Sequence, residues 1–326
     1  MVPAMCRLFA LHADRPITAQ FWLVDAPYSL SHQSQFNADG TGIGWFGEDG
    51  TPHVVKRPVA AHSSSRYAHL ASELRSRAIV AHVRNSSGTA NELCNTHPFL
   101  IDGIVLAHNG VVRVNEEMRE RVRALRGASD GGAIEGDTDS EWLAALIAGE
   151  TARHDGDLEA GLIAAISWVL ANAPVYSLNL IAAKDEHLFA LRLPETNELW
   201  VRDRPAGGRD DAPLHQRSET LETTSEDLRE VRSIVVASEP MDDSPDWRLL
   251  ESGELLHITP DGAMRAQMPF DAPREQLVLE DLGLSEAASQ AHAAEAAARE
   301  ERRRRLQESW RAGVGAGAGS AAAAAR

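Results

Sequence analysis

Two stretches with helical spacing, 136–150 (GDTDSEWLAALIAGE) and 157–174 (DLEAGLIAAISWVLANAP), interrupt an otherwise strand-like chain, and that order most limits its fold. Before them lie CRLFALHA at 6–13, NADGTGIGWFG at 37–47, ELRSRAIVAHVRNSS at 73–87 and NTHPFLIDGIVLAHNGVVRV at 95–114. After them come SLNLIAAKDEHLFALR (177–192), ELWVRDR (198–204), RSIVVASEPM (232–241) and GELLHITPDGAMRAQ (253–267). Strands, then two helices, then strands, without regular βαβα alternation, predict packed mixed or antiparallel sheets flanked by helices. GTGIGWFG is no dinucleotide loop, because no helix follows it. Its glycines instead suit a strand pressed against other backbone.

Residues 205–226 are polar and turn-rich and predict an exposed insertion. From about 284 the chain turns to Ala, Glu and Arg, predicting a helical extension over 271–311 and a low-complexity tail over 312–326. The globular part is expected to span 6–270.

Composition removes several function classes. The net charge of −16 argues against a sequence-independent grip on nucleic acid or an anionic membrane. The run REERRRR at 299–305 reads as an ion-paired helical face, not an RNA contact. No apolar run approaches the ~20 residues of a bilayer span, and the N-terminus lacks a signal-peptide pattern, so the expected compartment is the cytoplasm. Two cysteines, Cys6 and Cys94, cannot build a structural zinc site, so neither a metal nor a cofactor is expected.

Four features carry chemistry, each with a plain structural alternative. His108-Asn109-Gly110 between apolar runs reads alone as a hairpin turn. Thr138 to Glu141 reads alone as a capping box. Arg84, ending a strand, reads alone as solvated or ion-paired, and Cys6 as a buried thiol. Together they fit amide hydrolysis, which needs a nucleophile, a base and donors for an oxyanion. A cysteine at the first position of a mature chain brings its own base, an α-amino group with a pKa of about 7.7–8.0. Asn109 offers a side-chain amide and Gly110 a backbone N–H. Arg84 can grip a carboxylate bidentately, and Asp139 can accept an ammonium group.

The ordered set MCRLFAL, NADGTGIGWF, AHVRNSSG, NTHPF, AHNG and GDTDSEWL resembles the class II glutamine amidotransferases, the N-terminal-nucleophile group, in their stand-alone form. The resemblance implies an α+β fold, a four-layer αββα sandwich of two stacked antiparallel sheets. It implies a glutamyl thioester on Cys6, with Asn109 and Gly110 binding the oxyanion. Arg84 and Asp139 would hold the substrate's carboxylate and amine. His97 falls where relatives shape the glutamine pocket, and a structural role there is an equal reading.

The mechanism needs the Cys6 nitrogen free. Residues 1–5 are therefore expected to be a start placed too early or a removed segment, with initiation at Met5 the favoured account. The residues after Arg84 (Asn85, Ser86, Ser87) depart from the synthases' Trp-Ala-Thr-type run. The substrate is expected to be glutamine or another γ-glutamyl amide. A separate synthase subunit accepting ammonia and a homo-oligomer both stay open. The alternatives are a γ-glutamyl hydrolase of a thiol pathway, as in ergothioneine synthesis, and a non-catalytic binding module.

Overall fold

The computed structural model describes residues 6–127, 134–208, 214–217, 222–225 and 227–290. The expected leader 1–5, the tail 312–326 and residues 291–311 of the expected extension lie outside the described residues, as does part of the 205–226 insertion.

In chain order the strands are β1 (Arg7–Ile17), β2 (Gly40–Phe46), β3 (Pro52–Arg57), β4 (Ser76–Arg84), β5 (Phe99–Ile101), β6 (Ile104–Val112), β7 (Val175–Lys184) and β8 (His187–Leu191). They continue with β9 (Trp200–Arg204), β10 (Leu214–Arg217), β11 (Glu222–Ser225), β12 (Ser233–Ala237), β13 (Arg248–Leu249), β14 (Leu255–Ile258) and β15 (Met264–Gln267). The helices are α1 (Leu30–Gln33), α2 (Ser65–Glu73), α3 (Glu116–Arg126), α4 (Asp139–Arg153), α5 (Leu158–Asn172) and α6 (Asp227–Glu230).

One sheet has the strand order β13-β9-β12-β1-β4-β2-β3 and the other β15-β14-β8-β7-β6-β5. Every neighbouring pair in both sheets is antiparallel. The period of two explains the layering. In β1, Leu8 and Ala10 join Val80, Val105, Ala107, Ile181 and Val236 between the sheets. Phe9 and Leu11 of the same strand point the other way, into a layer with Trp22, Tyr67 and Ala71. Beyond the second sheet, Leu106, Leu178 and Leu180 meet Met118 of α3, Leu143 and Ile147 of α4, and Leu162 and Ile166 of α5. The result is the expected αββα sandwich.

Local chemistry fixes the connections. Asp102 and Gly103, both at positive φ (49° and 81°), turn β5 into β6. The hairpin expected at His108–Gly110 is absent. These residues lie inside β6 and pair with Leu178–Leu180 of β7. The apolar sequence around them extends a central strand, and Asp-Gly six residues earlier supplies the turn. Thr138 caps α4, accepting from the Glu141 N–H at 3.3 Å. The Glu141 carboxylate reaches past the cap to the N–H groups of Glu135 and Gly136, at 3.0 and 2.8 Å.

The glycines of β2 meet the expectation of close approach. A Cβ on Gly42 would strike the His97 carbonyl, and one on Gly44 would lie 2.5 Å from Val105 Cγ1. Described residues after 270 pack on the domain. Leu277 and Leu282 pack with Val111 and Tyr176, and Gln276 bridges in parallel to Val175. No described helix is long and apolar enough to cross a membrane.

Candidate active site

The same period of two gathers the expected site residues at one end of the sandwich. In β4, Ala78 and Val80 face the other sheet, which carries His82 and Arg84 to that inner face. In β6, Val105 and Ala107 face inward, and Asn109 follows them. Cys6 precedes Leu8 by two, and Ser238 follows Val236 by two.

The contacts agree with this placement. Asn109 Nδ2 donates to the Cys6 carbonyl at 2.5 Å and to Ser238 Oγ at 3.4 Å. Asn109 Oδ1 lies 2.9 Å from His82 Nε2. Ser238 Oγ accepts from the Leu8 N–H at 2.9 Å, and the Ser238 N–H donates to the Leu8 carbonyl at 3.1 Å, tying β1 to the segment after β12.

The Cys6 thiol, half-buried, donates to the Asn85 carbonyl at 3.2 Å and accepts from the Asn85 N–H at 3.1 Å. Among the described residues, neither a histidine nor a carboxylate hydrogen-bonds the sulfur. Burial pushes the thiol pKa above its ordinary value, against the opposing pull of the Asn85 N–H and of the Arg84 and Arg7 charges. At neutral pH Cys6 is therefore a thiol that must lose its proton to act.

Arg84 is buried, and its fork is engaged by the loop that follows it. It donates to Ala90 O (3.3 Å), Asn91 Oδ1 (3.0 Å), Ser86 Oγ (3.2 Å) and both oxygens of Thr89 (2.5 and 3.4 Å). Asp39 holds the same loop from outside, accepting from the Ser86 N–H at 2.8 Å and from Asn91 Nδ2 at 2.9 Å. Asp139, at the start of α4, accepts from the Val112 N–H at 2.8 Å and from Ser140 Oγ at 3.2 Å. Ser140 Oγ in turn lies 2.9 Å from His108 Nδ1, on the outward face of β6.

His97 packs between His82 (ring centroids 4.3 Å, tilted) and Phe99 (4.8 Å, edge-on). Neither of its ring nitrogens has a hydrogen-bond partner among the described residues. Burial holds His82, His97 and His108 below the ordinary histidine pKa, His82 at about 3, so all three are neutral.

Gly110 packs against β7 with no room for a side chain: a Cβ would collide with the Ser177 carbonyl and come within 2.8 Å of His108 Nε2. Gly110→Ala is expected to destabilise the fold by about 1–3 kcal/mol through overpacking, read as a lower urea midpoint with an unchanged slope.

The structure thus brings Cys6, Asn109 and Arg84 to one end of the inter-sheet space, with His97 packed against His82. Asp139 sits one layer out, at the β6 bulge. Sequence reasoning missed His82, Asn85 and Ser238. A signal existed for His82, which shares Arg84's strand face two residues earlier. Among the described residues, no cluster of three or more His, Cys, Asp or Glu side chains could hold a metal.

Cys6, just before the first strand, thus meets the Asn109 amide of the second sheet. A solved glutamine aminotransferase class-II domain protein from Silicibacter pomeroyi shares the fold, with a TM-score of 0.55 at 21% identity, over 82% of this chain and 100% of that one. The model of the glutamine amidotransferases class-II matches residues 5–281, and the chain belongs to that family, an enzyme family of amidohydrolases. Two relatives are similar along most of their length. A Methanocaldococcus jannaschii protein described as uncharacterized is 24% identical over 77% of this chain and 68% of its own. The γ-glutamyl-hercynylcysteine sulfoxide hydrolase of Mycolicibacterium smegmatis is 29% identical over 78% of this chain and 96% of its own.

Proposed function

We propose that the chain hydrolyses the γ-amide of a substrate with a free glutamyl head, glutamine first, through Cys6. The freed α-amine of Cys6 takes the thiol proton, and Sγ attacks the amide carbon. The negative oxygen that forms is held by Asn109 Nδ2–H and the Gly110 N–H. Collapse breaks the C–N bond, the amine returns the proton to the departing nitrogen, and ammonia leaves a glutamyl thioester. Water, deprotonated by the same amine, then attacks that carbonyl through a second oxyanion and releases glutamate and the thiol.

The observation that supports this most is the meeting of Asn109 with Cys6. The amide nitrogen lies on the cysteine's own carbonyl, next in sequence to Gly110. The raised thiol pKa adds that a base is needed, and among the described residues no other hydrogen-bond partner of the sulfur supplies one. The test is ammonia release from glutamine by a chain whose first residue is Cys6. Release at enzymatic rates supports the reading; its absence, together with no cleavage of any γ-glutamyl amide, overturns it.

A second reading, hydrolysis of a γ-glutamyl conjugate of a small thiol-derived metabolite, is favoured by the likeness to the mycobacterial hydrolase along 96% of that enzyme. Its substrate presents the same head, so Cys6, Asn109 and Gly110 keep their roles. Comparing glutamate release from γ-glutamyl thiol compounds with ammonia release from glutamine separates the two.

Arg84 and Asp139 are proposed to receive the head's carboxylate and amine. Because the Arg84 fork already holds the 86–91 loop, substrate carboxylate would replace some of those carbonyl and hydroxyl contacts, coupling binding to the loop. Arg84→Ala is expected to raise KM on the order of 10–100-fold, the weight of one or two charge-assisted hydrogen bonds, with a smaller change in kcat. Steady-state kinetics at saturating substrate reads the split.

A further inference from the structure

Asn109 can bind an oxyanion only when its nitrogen, not its oxygen, faces Cys6. The two orientations of an amide have nearly the same shape, so packing cannot choose between them, and hydrogen-bond partners must. Ser238 Oγ, at 3.4 Å, can donate or accept and does not discriminate. The Cys6 carbonyl calls for the NH2 group on one side. On the other side stands His82 Nε2, 2.9 Å from Asn109 Oδ1.

His82 is completely buried. A neutral imidazole carries its proton on one nitrogen, and here the choice sets the polarity of the site. With the proton on Nε2, the ring donates to Oδ1 and keeps the amide nitrogen toward Cys6. With the proton on Nδ1, Nε2 becomes an acceptor, repels Oδ1 and favours the flipped amide, which would point an oxygen at the developing charge. His82 Nδ1 has no hydrogen-bond partner among the described residues. An orphaned buried N–H is costlier than an orphaned lone pair, so the Nε2–H tautomer prevails. The ring is held in place by its tilted contact with His97, whose nitrogens also lack partners among the described residues. Asn109 is therefore the one hydrogen-bonding partner of the His82 ring among the described residues.

We propose that His82 is a positioning residue for catalysis: its Nε2–H holds Asn109 Oδ1 and so aims the Asn109 amide at the carbonyl that Cys6 attacks. This rests on the functional reading above. It goes beyond that reading by assigning the polarity of the oxyanion site to a side chain that touches neither substrate nor nucleophile.

The test is a double-mutant cycle with three readouts on a chain that starts at Cys6. His82→Leu and His82→Gln are made alone and with Asn109→Ala. Each is assayed with glutamine and with γ-glutamyl-p-nitroanilide, and Cys6 alkylation by iodoacetamide is timed by mass spectrometry. Alkylation needs the thiol but no oxyanion donor. His82→Leu is expected to lower kcat on the order of 10–100-fold, part of what losing one oxyanion donor costs, with KM changed less than about threefold and alkylation unchanged. His82→Gln, which can still donate, restores most of the rate. In the Asn109→Ala background, His82→Leu adds less than about threefold, because its route of action is already gone.

Full additivity of the two losses, or a His82→Leu enzyme as fast as wild type, overturns the proposal while leaving the functional reading intact. Should His82→Leu not fold, His82→Met, of similar reach and without a donor, takes its place under the same criteria. A wild-type chain with a free Cys6 amine that cleaves no γ-glutamyl amide overturns the functional reading and this inference together.

Discussion

Cys6→Ala is expected to reduce turnover to background, a loss on the order of 10⁴–10⁶-fold, because no other group can form the thioester. The fold should survive the change. The thiol's hydrogen bonds are one weak contact each way with the Asn85 backbone, at 3.2 and 3.1 Å, and it ends no apolar cluster. The Asn109 tie to residue 6 runs through the backbone carbonyl, which alanine keeps. Urea unfolding within about 1 kcal/mol of wild type, alongside lost activity, is the expected pair of results. Residual turnover above a few per cent would mean that another nucleophile does the work.

The second large effect is on stability in acid. His12, His82, His97 and His108 are buried, and burial holds each below the ordinary histidine pKa; for His12, to about 4, Arg77 adds to the effect, and His82 lies at about 3. In the unfolded chain each titrates near 6.5. Below that pH the unfolded state binds protons that the folded state refuses. The stabilisation is therefore complete above about pH 6.5 and is lost as pH falls toward the folded-state values. Each histidine contributes a slope of up to about 1.4 kcal/mol per pH unit. The four losses add, so stability falls more steeply than any one ring alone would give. Urea midpoints measured from pH 7.5 to 4.5 should fall steeply below about pH 6. His12→Gln should flatten the slope by about one proton. A midpoint flat to pH 5 would show that these rings are protonated in the native state.

The order of strands, two helices and strands was legible in the sequence, whereas the four-layer stacking came from the family likeness and the strand faces are seen in the structure. Val105 and Ala107 mark the inner side of β6, and from them Asn109 follows. Taken alone, His108–Gly110 misled, because Asn-Gly between apolar runs is a strong turn signal. Only the pairing with β7 reveals that these residues continue the strand. Helix α3 escaped notice because its buried stripe is thin: Met118 and Val122 carry it among charged neighbours. Strand β3 is a half-exposed edge carrying His53, Lys56 and Arg57, and the β10–β11 hairpin lies in a polar stretch. Cys6, Asn109, Gly110, Arg84, His97 and Asp139 are candidates drawn from chemistry and from a family likeness. The grip of Arg84 on residues 86–91 could not be read, because it depends on how a loop with little apolar content folds back on its own strand. His82 was passed over for a related reason: a lone histidine in an apolar strand carries no sign of what lies opposite it in the second sheet.

The central claim is that the attacking sulfur and its base belong to one residue, and intact mass with activity tests it most directly. The purified, active chain should weigh as a polypeptide starting at Cys6, and a variant fixed to retain any residue before Cys6 should release no ammonia from glutamine. A chain that keeps Met5 on Cys6 and still hydrolyses glutamine at the same rate would contradict the account.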